Sequence, residues 1–127
     1  MGANQAQTIK AICEAEAYNG PSLIIGYTPC EMHSIKGGMA NCQAEMKKAV
    51  EAGYWQMFRY NPTLESNKLS IDSKAPSADY VDFIKSETRY ARLAQSFPER
   101  AEKLFAEAEV KAKEKYERLV KLAELYN

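Results

Sequence analysis

The sequence predicts an α/β chain: a partial parallel-sheet (βαβ) fragment followed by a C-terminal helical hairpin. Three features carry that expectation. The apolar run Leu23-Ile24-Ile25 lacks the alternation of a half-exposed strand and suits one covered on both faces. Up to residue 62 the pattern reads helix, strand, helix, strand, the closing order of a βαβ arrangement. From residue 77 the composition turns to helix, with charges of both signs opposite an apolar stripe.

Taken in order, residues 4–18 read as a helix with Asn4 as N-cap and Ala6, Ile9, Ile12, Cys13 and Ala17 on one stripe. Asn19-Gly20-Pro21 stops it, since proline cannot continue a helix. A buried strand is expected over residues 22–28. A second helix enters through Gly37-Gly38, runs to about residue 52 with Met39, Cys42, Met46, Ala49 and Val50 on one face, and stops at Gly53. Residues 54–60 are aromatic and half alternating, a second strand ended by Asn61-Pro62. Two strands cannot cover both faces of a parallel sheet, so this portion reads as cut from a longer fold.

Residues 63–76 form a polar linker in which Leu69-Ser70-Ile71 pairs briefly as an edge strand. Tyr80, Val81, Phe83, Ile84, Thr88, Ala91 and Ala94 predict one helix over residues 77–95. Ser96 and Glu99 have capping-box spacing, with Pro98 in the first turn. The last helix runs to Leu125, with Ala101, Leu104, Phe105, Ala108, Ala112, Leu119 and Ala123 on its stripe. Its other side carries Glu107/Lys111, Glu109/Lys113 and Glu117/Lys121 at i,i+4. The expected division is 1–62, an α/β part; 63–76, a linker; and 77–127, a helical segment.

The 127 residues carry 17 basic and 17 acidic side chains, so no net field draws the chain to nucleic acid or to an anionic membrane. The terminal helix alternates its charges and reads as a solvated face. No apolar run is long enough to span a bilayer, and the first residues do not resemble a secretion leader. Gly2 lacks a clean myristoylation context, so a cytoplasmic protein is expected. The three cysteines stand at 13, 30 and 42 with no C-x-x-C pair, which argues against a disulfide framework, a self-contained zinc site or a thioredoxin-type site.

Cys13 and Cys42 fall on helix stripes and read as packing. Cys30 differs, because it follows a proline where a strand gives way to a loop, the place where α/β sheets bind ligands. Metal ligation or nucleophilic catalysis stands there against a plain buried thiol. His33, the single histidine, allows a Cys–His nucleophilic pair, although no third orienting group stands out. Lys36-Gly37-Gly38 lacks the spacing and hydroxyl of a phosphate loop and reads more simply as a helix entry. Tyr54, Trp55, Phe58 and Tyr60 read as sheet packing.

Several blocks in order carry a resemblance: Met1-Gly2-Ala3-Asn4-Gln5-Ala6-Gln7-Thr8, Glu14-Ala15-Glu16-Ala17-Tyr18-Asn19-Gly20-Pro21-Ser22-Leu23-Ile24-Ile25, Tyr27-Thr28-Pro29-Cys30, Lys36-Gly37-Gly38-Met39, Gly53-Tyr54-Trp55, Arg59-Tyr60-Asn61-Pro62 and Asp72-Ser73-Lys74. Together they closely resemble the C-terminal part of pyruvate:ferredoxin (flavodoxin) oxidoreductases, across essentially the whole chain. The resemblance implies that residues 1–62 end a thiamine-diphosphate-binding domain. It also implies oxidation of pyruvate with CoA to acetyl-CoA and CO2, with thiamine diphosphate, Mg²⁺ and 4Fe–4S clusters as cofactors. The implied partners are ferredoxin or flavodoxin, the remainder of the enzyme and a second copy in a homodimer. Cys30 matches the family's fourth ligand of the cluster nearest the thiamine, while the other ligands and the thiamine site belong to segments upstream. His33 and Lys36 would then lie where they tune the cluster by charge or hydrogen bonding. Ser34 departs from the glycine expected after the histidine. The expectation is a piece of a longer enzyme, inactive alone, with Met1 matching an internal methionine. A non-catalytic helical assembly module and a small cysteine-dependent redox enzyme using Cys30 and His33 are the competing readings.

Overall fold

A computed structural model of the protein describes residues 3–127. Helix α1, Gln5–Ala17, begins where expected: the Asn4 side chain accepts the Gln7 N–H at 3.0 Å. Its apolar stripe stays uncovered among the described residues: no residue of α1 is buried and Ile9 is 62% exposed. Polar contacts hold the helix instead. The Gln7 amide donates to Asp72 at 3.0 Å, and Arg59 pairs with Glu14 at 2.5 Å. The packing role expected of Cys13 is therefore corrected, since its thiol is exposed.

The strand expected over residues 22–28 is also corrected. That segment is irregular, and none of its backbone groups pairs with another backbone group among the described residues. Leu23 is 84% and Ile25 69% exposed. A strand exists only beside a neighbour that takes its N–H and C=O groups, and these residues have none among the described ones. The sheet that does form is antiparallel: β1, Phe58–Tyr60, pairs with β2, Leu69–Ile71, in the register Phe58↔Ile71 and Tyr60↔Leu69. The edge strand expected at Leu69-Ser70-Ile71 is thus present, and the α/β class holds in mixed form. The strand expected over 54–60 shortens because Tyr54 and Trp55 turn into the core.

A 3₁₀ turn, Met39–Asn41, leads into α2, Cys42–Glu51, which stops at Gly53 with φ +76°. The helix expected over 77–95 is two helices: α3, Tyr80–Ser86, and α4, Thr88–Ser96. Glu87, with ψ 122°, leaves the helical region between them. The long α5, Pro98–Leu125, starts at its proline, but Ser96 is not its cap. A residue before proline is pushed out of the helical region, so Phe97 (φ −143°) makes the corner and Ser96 closes α4. On the solvent side Lys113 pairs with Glu109 as expected, whereas Lys111 takes Glu114 rather than Glu107.

The main core joins Ala49 and Ala52, Phe83 and Ile84 of α3, and Ala101 and Phe105 of α5. Tyr27, Tyr54, Trp55 and Tyr90 pack around it, with Tyr54 and Phe83 rings 5.0 Å apart. A second cluster seats β2 on the far half of α5 through Leu69, Leu119 and Ala123. The 28 residues of α5 reach about 42 Å, long enough to serve both clusters.

Two outcomes follow from this packing. Ile84 is 1% exposed, so Ile84→Ala lowers stability by about 2–5 kcal/mol in urea unfolding followed by Trp55 fluorescence. For Asp72, burial raises the carboxyl pKa, but the hydrogen bonds from Arg59 and Gln7 outweigh burial and hold it below the ordinary carboxylate value. The stabilisation is therefore full above the unfolded carboxylate range and is lost as pH falls through the depressed folded value. Asp72→Asn is expected to be less stable than the parent at neutral pH, with the two stabilities converging in acid, as read from unfolding curves across pH.

Candidate functional site

Cys30 lies on an exposed turn between two anchored stretches. The turn closes through the Ser34 N–H donating to the Cys30 carbonyl at 2.8 Å. It brings the Cys30 Sγ within 3.0 Å of His33 Nδ1, so the pair read from the sequence does meet. Lys36 is exposed and makes no hydrogen bond or ion pair with either residue among the described ones; it lines a shallow hollow with Lys85 and Arg92.

Ser34 carries φ +59°, the left-handed region that favours glycine. The serine that departs from the expected glycine thus sits where glycine fits best. Gly37 and Gly38 follow at φ +83° and +82°, and a Cβ on Gly37 would lie 2.5 Å from the Asn41 amide nitrogen. The Gly–Gly pair is a shaped turn into the 3₁₀ segment rather than a loose entry.

Before the turn, the Tyr27 ring packs on Tyr54 and Trp55, at centroid distances of 5.6 and 6.1 Å. Its hydroxyl donates to the Glu87 carboxylate. Burial, reinforced by that hydrogen bond, pushes the phenol pKa up and keeps it a donor. After the turn, Ile35 is buried and bridges Glu87 in antiparallel fashion. The Lys36 N–H donates to the Ser86 carbonyl at 2.8 Å, and the Thr88 hydroxyl donates to the Ser34 carbonyl at 2.9 Å. Ser86 in turn donates its hydroxyl to Glu45, a buried carboxylate on α2.

Sequence reasoning missed these supports. Glu45 left one signal, a carboxylate on the buried face of a helix beside Met46 and Ala49. Ser86-Glu87-Thr88 left only three adjacent polar residues inside a helical pattern, with no proline or glycine to mark the break.

Among the described residues no group of three or more His, Cys, Asp and Glu side chains could hold a metal ion. Cys13 lies on α1 and Cys42 at the start of α2, the latter half-buried. The donor set fits one ligand of a shared site, an accessible sulfur on a braced turn, and not a whole cluster site. No helix among the described residues is long and apolar enough to cross a membrane.

No family model matches the chain. It is 52% identical to pyruvate:ferredoxin oxidoreductase of Moorella thermoacetica over 98% of its own length and 11% of that protein's. Pyruvate-flavodoxin oxidoreductases of Enterobacter agglomerans and Klebsiella pneumoniae match at 47% and 43% over 97% of the chain, again 11% of each relative. These matches set the chain among the oxidoreductases. It belongs to the pyruvate:ferredoxin/flavodoxin oxidoreductase family, as a fragment spanning 11% of the length of the curated relatives it matches.

The left-handed serine generates a direct check. Ser34→Gly is expected to raise stability by about 0.5–1 kcal/mol and Ser34→Val to lower it by about 1–2 kcal/mol, read as opposite shifts of the urea midpoint.

Proposed function

We propose that this chain is the C-terminal part of an enzyme that oxidatively decarboxylates pyruvate with CoA, giving acetyl-CoA and CO2 and delivering electrons to ferredoxin or flavodoxin. The observation that carries the reading is 43–52% identity over nearly the whole chain to proteins named for that chemistry. In this reading residues 1–62 end a thiamine-diphosphate-binding domain, 63–76 link it onward and 77–127 form a helical segment. The enzyme works in the cytoplasm as a homodimer, and thiamine diphosphate and Mg²⁺ are held by residues outside this chain.

Cys30 supplies one thiolate of a 4Fe–4S cluster, which when bound accepts and passes on single electrons. The accessible sulfur supports this, and in this reading the other ligands come from outside the chain, which is inactive alone. His33, within hydrogen-bond distance of that sulfur, tunes the cluster, and Lys36 adds a positive charge nearby.

In the full-length enzyme, Cys30→Ser is expected to lose one cluster's iron and sulfide together with pyruvate-dependent ferredoxin reduction. Unchanged iron content would sink the assignment. His33→Ala is expected to move the potential of that same cluster, and an unmoved potential removes its tuning role. The 3.0 Å Cys30–His33 contact also favours a second reading, a thiol-based redox centre. Rapid alkylation of Cys30 in the isolated chain at neutral pH, with iron content of the enzyme indifferent to Cys30→Ser, is the result that reading requires.

A further inference from the structure

Accepting Cys30 as a cluster ligand, we propose that the break between α3 and α4 is the device that positions its sulfur, with Glu87 and Thr88 as positioning residues. Both ends of the Cys30 turn are tied to this one short segment. Ahead of the turn, the Tyr27 hydroxyl is held by the Glu87 carboxylate. Behind it, the Ser34 carbonyl takes the Thr88 hydroxyl at 2.9 Å, Ile35 bridges Glu87, and the Lys36 N–H reaches the Ser86 carbonyl at 2.8 Å. Residues 28–33 span the gap between the two ties, and within it Pro29 is buried and the Cys30 carbonyl takes the Ser34 N–H at 2.8 Å, so the turn that carries the sulfur is closed on itself.

The break itself calls for a cause. Glu87 forgoes helical geometry with no proline or glycine near it, so the departure is sustained by what Glu87 and its neighbours hold. Ser86 also binds the buried Glu45 of α2, the helix that the Gly37-Gly38 turn leads into. Loop, break and α2 therefore close a triangle whose free corner is Cys30. Through it the C-terminal helices, which carry no cysteine or histidine, set the place of the ligand.

The test uses the full-length enzyme with Thr88→Val, Thr88→Ser and Tyr27→Phe, beside Cys30→Ser and a remote control, Lys113→Ala. The readouts are the potential and electron paramagnetic resonance spectrum of each reduced cluster, and the rate at which each loses iron to a chelator. Thr88→Val and Tyr27→Phe are expected to shift the signal and potential of the one cluster that Cys30→Ser abolishes. They should also speed its iron loss about tenfold, the scale of one lost hydrogen bond. Thr88→Ser, which keeps the hydroxyl, and Lys113→Ala should match the parent. Tyr27→Phe keeps its aromatic packing and guards against a folding failure of Thr88→Val. If Cys30→Ser abolishes a cluster whose signal, potential and iron loss are untouched in Thr88→Val and Tyr27→Phe, the positioning role is overturned alone. If Cys30→Ser keeps every cluster, the ligand reading falls and the positioning role falls with it.

Discussion

The antiparallel bridge between Ile35 and Glu87 is the contact on which the rest of the arrangement turns. It is the point where the N-terminal loops meet the C-terminal helices through backbone as well as side chains. Ile35 is buried there at 3% exposure, so the bridge is shielded from competing water. Around it the Tyr27, Ser34 and Lys36 contacts all converge on residues 86–88. The interruption of the helix is thus the mould for the cysteine loop.

A second constraint runs the other way. Residues 22–26 carry Leu23, Ile24 and Ile25 into solvent with their backbone unpaired by other backbone groups among the described residues. Burying that surface would stabilise the protein by a few kcal/mol, and its backbone groups need a neighbour to be buried at all. The exposed stripe of α1, with Ile9 and Ile12, lies on the same N-terminal part of the chain. Both features agree with a chain that spans 11% of the relatives it matches.

Local signals made much of this fold legible. Asn4 marked the start of α1, Gly53 the end of α2, and the Leu69-Ser70-Ile71 pattern the strand β2, because each depends on a few neighbouring residues. Features set at a distance were not legible. The apolar pattern of residues 22–28 encodes a preference for a covered strand, yet pattern cannot supply the cover. The break at Glu87 meets Ile35 and Tyr27, more than fifty residues away in the chain, and its only local mark is three adjacent polar residues. The Ser96 cap failed for a local reason that was readable, the bar that Pro98 places on a helical Phe97. At the site, Cys30 and His33 were legible as a pair by spacing, whereas the residues that brace them were not.

The N-terminal part holds an apolar stretch, residues 22–26, with no backbone pairing among the described residues, and a braced loop, residues 27–36. Residue-resolved amide hydrogen exchange on the chain measures that division directly. Amides of residues 22–26 should exchange at nearly the rate of an unstructured peptide, while the Lys36 amide, donated to Ser86, should be protected to the same degree as those of α3 and α4. Protection across residues 22–26, or a Lys36 amide exchanging as fast as they do, would contradict it.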